Sequence, residues 1–353
     1  MSVARHLSSA LVSLVALVVA GLAAVAPAWA QSTTLRVSLP ISPGSPTGQN
    51  VLEFARQVQA RTGGAVRIKI DQTRGYGEHE VLGVVAAGAV EIGVTALNQF
   101  SNPLTRAFLQ PFLFNFDALA QAATSPDSEI RKLIEKEILA TSGARVLWWQ
   151  PYGSSVIVSR KFSAANPAGI AARTIGATDD QTEDLLRICS GTPRRVSPAD
   201  VFSGLKNGPL QAAVVDLMDV GEHDLWRVAD TMTVLRHTPS VFMIVISETA
   251  WQRLTPEQRE IMTELAEDAQ AYMWARFVTI RAEAYAFAAG KGMRIVLPSN
   301  DDIEAWRACS APLLESYLER AGEDGARLFM AYGKLRTAPC CVETPSFGPA
   351  RRQ

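Results

Sequence analysis

The chain has 353 residues, 48% of them hydrophobic and 20% charged, and its 34 basic and 35 acidic residues leave a formal net charge of −1. That composition is too apolar for a disordered chain, and the length is enough for two linked lobes with ample core. With no positive excess there is no field to hold a polyphosphate backbone, so nucleic acid is not an expected partner.

Arg5 and His6 precede an apolar run from Leu11 to Val25, and Pro27 then leads to Ala28-Trp29-Ala30, a small-x-small cleavage pattern. This predicts a cleaved secretory signal over residues 1–30 and a periplasmic mature chain, rather than a membrane anchor. No Cys follows the run, so a lipid-anchored form is not expected.

Beyond the signal, Leu35 to Leu39 reads as a strand, and Gly48 to Ala60 puts Val51, Phe54, Ala55 and Val58 on one helical face. A strand at Val66 to Ile70, a helix at Glu78 to Ala87 and a strand at Val90 to Thr95 complete a β-α-β-α-β order, which predicts a largely parallel sheet with covering helices. A helix at Asp127 to Ala140 and an apolar strand at Arg145 to Trp149 follow. The pattern then restarts with strands at Ser155 to Ser159 and Ala172 to Gly176, helices at Asp180 to Ile188 and Pro198 to Lys206, and a strand at Leu210 to Val215. The segment Pro151 to Gly153 suits a crossing between lobes. After a strand at Val241 to Ser247, Thr255-Pro256-Glu257-Gln258 reads as an N-cap, a Pro at the first helical position and a capping-box Gln. The stripe Leu265, Ala269, Tyr272, Met273, Phe277 and Ile280 carries that helix on to Gly290, about 35 residues and long enough to span both lobes. Helices at Asp301 to Arg320 and Gly325 to Leu335 finish the fold.

The four cysteines would meet an oxidising compartment, and the expectation is one disulfide between Cys309 and the tail (Cys340 or Cys341), with Cys189 a buried thiol. Neither H-E-x-x-H, nor a G-x-S-x-G elbow, nor a P-loop occurs. Gly75-Tyr76-Gly77 lacks the third glycine of a dinucleotide fingerprint, and Glu222-His223-Asp224 reads as a solvated surface cluster. No metal, cofactor or catalytic constellation is expected, and the residues give enzymatic function little support.

Four segments in order resemble the solute-binding subunits, of dicarboxylate-binding type, of tripartite ATP-independent periplasmic (TRAP) transporters. Gly75-Tyr76-Gly77-Glu78, a helix and Gly88-Ala89-Val90-Glu91 resemble that family's glycine loop, helix and Gly-x-Val-Asp. Gly169-Ile170-Ala171-Ala172-Arg173 resembles its Gly-Leu-Lys-x-Arg. Gly191-Thr192-Pro193, with Pro198-Ala199-Asp200-Val201-Phe202, is similar to its Gly-x-Pro and Glu-Val-Tyr stretch, and Trp251 through Leu254-Thr255-Pro256-Glu257 to its entry into a long spine helix.

The resemblance implies an α/β two-lobe periplasmic binding protein fold, each lobe a β-sheet flanked by helices, joined by crossing strands and the spine helix. The expected organisation is lobe I over 31–152, lobe II over 153–240, a return to lobe I and the start of the spine helix over 241–270, the spine end and lobe II helices over 271–337, and a tail over 338–353. It also implies capture of a small organic acid and delivery to the membrane permease subunits. A periplasmic sensor passing its closed form to a receptor, or an exported hydrolase, are the alternatives.

In the family the arginine of Gly-Leu-Lys-x-Arg takes a ligand carboxylate, which places Arg173 as the anchor, its planar fork suited to two oxygens. Gly153-Ser154-Ser155 stands where many members carry a second arginine, and Val215 near a frequent asparagine. Together with Pro40, these departures predict a carboxylate with an apolar or aromatic body. Tyr76, Trp149 and Tyr152 are candidates for the apolar wall, and Glu78 or His79 for a polar contact.

Overall fold

The computed structural model describes residues 32–70, 76–100 and 102–341; the expected signal segment and the last twelve residues lie outside them. Among the described residues ten strands are joined by hydrogen bonds. They are β1 (Thr33–Ser38), β2 (Val66–Ile70), β3 (Ile92–Ala96), β4 (Ala144–Ser159), β5 (Thr174–Ala177), β6 (Thr192–Arg195), β7 (Ala212–Asp216), β8 (Thr231–Thr233), β9 (Pro239–Ser247) and β10 (Arg294–Val296). Eight lie along one path and two, β8 and β10, branch from it at β4. The helices are α1 (Pro46–Arg61), α2 (Val81–Ala86), α3 (Pro103–Phe108), α4 (Asp117–Thr124), α5 (Glu129–Ser142), α6 (Asp180–Ile188), α7 (Pro198–Lys206), α8 (Asp219–Glu222), α9 (Glu248–Gln252), α10 (Pro256–Gly290), α11 (Asn300–Arg320) and α12 (Gly322–Arg336).

Two sheets result because β4 is sixteen residues long and changes partners partway. Its first part pairs antiparallel with β9, beside β3, β1 and β2; its last five residues pair with β7, which leads on to β5 and β6. A register shift between Pro151 and Gly153 marks the crossing. The expected parallel order holds for β1 with β2 and β3, and for β5 with β6 and β7. Long-range pairing inserts β9 antiparallel between β3 and β4, which local pattern does not report. The two apolar runs read as separate strands at Arg145 and Ser155 are therefore one strand, buried along nearly its whole length.

Each sheet has a core on both faces, as helix-covered sheets require. In lobe I, Leu35, Val37, Val94 and Trp148 pack with α1 and the start of α10, while Phe108, Phe114, Ile134 and Trp149 fill the opposite face. In lobe II, Val156, Val158, Leu205 and Val215 pack on one face and Ile157, Ile175, Leu186 and Trp306 on the other.

The spine helix α10 runs for 35 residues behind a complete capping box, Thr255 accepting from the Gln258 amide and Gln258 reaching back to the Thr255 amide. Its first half buries Met262, Leu265 and Ala269 in lobe I, and its last turns pack Ala284, Tyr285 and Ala288 into lobe II. Tyr272, expected in the apolar stripe, is instead half exposed, its hydroxyl accepting from Arg276.

The disulfide joins Cys189 to Cys309, and Cys340 and Cys341 are free thiols, which corrects the expected link between Cys309 and the tail. The cause is tertiary: α11 packs on α6 and sets Cys309 against the end of that helix, with Cα atoms 5.6 Å apart.

Candidate ligand-binding site

The carboxyl ends of parallel strands leave a crevice, and here those of β3, β5 and β7 converge on the hinge strands β4 and β9. The slot between them is lined from both lobes. Leu97, Asn98, Leu109 and Pro111 face it from lobe I, Thr178, Asp179, Gln181 and Asp216 from lobe II, and Ser155, His237, Thr238 and Ser240 from the hinge. The lobes meet at its rim: Asn98 Nδ2 donates to Asp179 Oδ2 at 3.2 Å, and Arg106 lies 3.6 Å from Asp180. On a third side the Ser42 amide donates to Glu222 Oε2 at 3.3 Å. Glu222 is thus a contact between lobes and not part of a solvated cluster, and burial raises its pKa.

Asp216 ends β7 and is the least compensated group in the slot. Ser240 Oγ donates to its Oδ1, and its other oxygen has no partner among the described residues. Burial pushes its carboxyl up to about 8, assisted by the nearby charge of Asp219. Asp219 is held behind it, Oδ2 accepting from the Asp216 amide at 3.3 Å and Oδ1 from Tyr152 Oη at 3.1 Å. Asp179 caps α6, Oδ1 accepting from the Thr182 amide at 2.7 Å. The end of that helix, a ready anion site in other folds, is therefore occupied by the chain's own carboxylate.

His237 is 2% exposed and lies 2.6 Å, Nδ1 to Oγ, from Ser155. The Ser155 oxygen accepts the Thr238 amide at 3.2 Å, and the Thr238 carbonyl is a long 3.4 Å away. The hydroxyl hydrogen is best spent on Nδ1, which assigns the ring proton to Nε2. Burial lowers the pKa of His237 to about 3, so the ring is neutral and offers an N–H. Among the described residues Nε2 has no hydrogen-bond partner.

Of the residues singled out from sequence, Val215 lies in the slot lining, 2% exposed. Tyr152 stands behind the wall rather than in it, packed on Phe242 and hydrogen-bonded to Asp219; burial, then Asp219, raises its pKa well above the ordinary value. Trp149 is core, its Nε1 donating to Glu135 at 2.7 Å. Tyr76 is half-buried against the lobe I core and His79 is exposed, neither lining the slot. Glu78 opens the short turn Glu78–Glu80, and its side chain lies outside the described residues.

Arg173 is not brought to the slot. It precedes β5, at the end opposite Thr178, roughly 16 Å away at strand rise. Its guanidinium lies 4.0 Å over the Phe162 ring, and Nε donates to the Gly169 carbonyl at 3.0 Å. Among the described residues no lysine or arginine lines the slot. Asp216, Ser155, Asn98 and His237 carry its chemistry and were not singled out from sequence as ligand contacts, because only the crossing of β4, β7 and β9 brings them together.

Two α/β lobes sharing crossing strands, with a polar slot between them, define a hinged solute-binding protein. Residues 38–320 match the family described as bacterial extracellular solute-binding protein, family 7, and the chain belongs to that family, the solute-binding subunits of TRAP transporters. Such subunits are receptors that feed transporters rather than enzymes, and they work outside the cytoplasm. The chain is 22% identical over 262 residues to the 2,3-diketo-L-gulonate-binding periplasmic protein YiaO of Escherichia coli, covering 73% of this chain and 79% of that one. Among solved structures it is similar to DctP7, a Bordetella pertussis extracytoplasmic solute receptor binding pyroglutamic acid, with a TM-score of 0.79 and 20% identity over 86% of this chain and all of that one. A TRAP periplasmic solute-binding protein from Haemophilus influenzae with bound L-gulonate has a TM-score of 0.78 and 19% identity, over 85% of this chain and all of that one. Among the described residues no helix is long and apolar enough to cross a membrane.

Proposed function

We propose that this chain captures a small organic acid in the slot between its lobes and delivers it to the membrane permease subunits of a TRAP transporter, after export and removal of residues 1–30. The observation that carries the reading is the slot itself, lined from both lobes and from the strands that join them, so that a solute seated there holds the lobes together. The acids bound by the relatives support an organic acid. With no guanidinium among the described residues of the lining, the acid's oxygens would be met by neutral donors, the Nε2–H of His237 foremost. Leu97, Leu109, Pro111 and Val215 offer an apolar wall, in keeping with a compact apolar body and against a second carboxylate.

The test is mass spectrometry of solute released from protein purified without refolding, followed by small-angle scattering with and without the identified molecule. A single small acid that reduces the radius of gyration is the expected result. A molecule that is chemically changed on incubation would favour an exported hydrolase instead.

A further inference from the structure

The slot holds more carboxyl groups than an acid receptor needs. Two carboxyls line it, Asp179 and Asp216, and Asp219 stands directly behind Asp216. The end of α6 is already taken by Asp179, and no cation among the described residues lines the slot beside Asp179 and Asp216. On the back of the same hinge strands a carboxylate is treated differently: Asp117 receives both Arg236, at 2.9 Å, and Arg281. A buried carboxyl without a counter-charge is costly, and a site that retains one is complementary to a ligand that brings the missing charge.

A second observation is independent of these acids. His237, almost wholly buried and fixed through Nδ1 by Ser155, has Nε2 without a protein partner. Ser155 is the cross-strand partner of Asp216 in the β4–β7 ladder, and Ser240, three residues beyond His237, donates to Asp216. The unpaired N–H donor and the uncompensated acid therefore belong to one wall of the slot.

We propose that the solute this slot takes carries a positively charged amino group, received by Asp216 with the charge of Asp179 beside it, while an acceptor oxygen of the same molecule takes the Nε2–H of His237. The ligand class is thus a small zwitterion, an amino acid or a close analogue with a compact apolar body, and not a dicarboxylate or a sugar acid. This assignment rests on the receptor reading above and narrows it. Among the described residues the groups facing Asp216 are Asp219 from α8, Asp179 from the start of α6, Tyr152 from β4, and His237 and Ser240 from the hinge. None of them is a cation at neutral pH. Seating an ammonium group on Asp216 requires the carboxylate form, so its proton passes to solvent and affinity rises with pH up to about 8. A plain carboxylate ligand would show the opposite slope, because it is repelled once Asp216 ionises.

The experiment uses the whole mature chain and matched sets of probes: proline, cyclopentanecarboxylate and pyrrolidine; alanine, propionate and ethylamine; valine, isovalerate and isobutylamine. Thermal shift ranks them, and calorimetry of the best probe in buffers of different ionisation enthalpy counts protons at pH 7. The expected result is that the amino acid binds most tightly in its set, with net proton release, and that Asp216→Asn loses at least 30-fold in affinity while its melting temperature does not fall. His237→Gln, which keeps a neutral donor, should lose less than Asp216→Asn. A nitrogen-free acid that binds as tightly as the amino acid, proton uptake on binding, or an Asp216→Asn variant that binds normally would overturn the amino-group assignment and leave the receptor reading standing. If no probe of any set and no co-purified solute binds, both readings fall.

Discussion

The two faces of the hinge carry similar groups under opposite conditions. On the back, the Asp117 carboxylate is met by two guanidiniums, from the segment before β9 and from the spine helix. On the front, Asp216 has a serine hydroxyl and a second acid behind it, and the one basic ring nearby, His237, is held neutral. Strand alternation turns Ser154 to the back and its neighbour Ser155 to the front, and in the segment before β9 Arg236, with φ of 53°, lines the back and His237 the front. The back is balanced in charge and its ion pairs tie α4 to α10, while Arg236 Nε and Trp274 Nε1 are buried there without a hydrogen-bond partner among the described residues. The front is electrostatically incomplete, as a site reserved for a ligand is.

The sharpest way to test that contrast is to remove the unbalanced acid. Asp216 has a folded pKa of about 8 against an ordinary 3.8, so the folded state holds its proton more tightly than the unfolded chain does. Stability is therefore lost as pH rises from about 4 to about 8, and Asp216→Asn abolishes that loss. The variant should be more stable than wild type by about 2–4 kcal/mol at pH 8.5, the gap closing toward pH 4 in urea unfolding.

His237 should give the mirror image. Its folded pKa is depressed from 6.5 to about 3, so the stability it contributes is complete above pH 6.5 and is lost as pH falls toward 3. Relative to wild type, His237→Gln should gain about 2–3 kcal/mol on going from pH 7 to pH 4, read as the difference between the two pH profiles. A parallel pair of profiles would show that the ring is not held neutral.

On the back of the hinge the sign reverses. Asp117→Asn keeps the shape but leaves Arg236 and Arg281 without their counter-charge, and should destabilise by about 1–2 kcal/mol at neutral pH. The pairs are partly solvated, which keeps the value modest. Asp117→Asn that stabilises the protein would dissolve the distinction between the two faces.

The smallest effect is expected at Arg173. Arg173→Ala removes its stack on Phe162 and its bond to Gly169, costing about 0.5–1 kcal/mol of stability. Affinity for the co-purified solute should stay within about twofold by calorimetry. A loss of tenfold or more would return Arg173 to the ligand.

Two features of the backbone around Arg173 are local. Gly169, which carries the motif match, is a glycine for packing: a Cβ there would lie 2.4 Å from the Ser163 carbonyl oxygen. The turn that asks for glycine's backbone freedom falls three residues later, at Ala172, with φ of 56°. Further along, a side chain at Gly176 would meet Leu210 at 2.9 Å.

Local chemistry determined much of this protein from sequence alone. The Thr255 capping box and the run without Gly or Pro set the spine helix, and the restarted strand-helix pattern set two lobes, because caps and periodicity act over a few residues. The tertiary structure alone decided that β9 lies antiparallel between β3 and β4, that Cys309 meets Cys189, and that Asp216, Ser155 and His237 share a wall. Those residues are 61 and 21 positions apart, and only pairing across the sheet brings them together. Burial then sets their ionisation: Asp216 and His237 are ordinary titrating groups in the sequence, and their protonation follows from the water and charges that the fold removes or supplies.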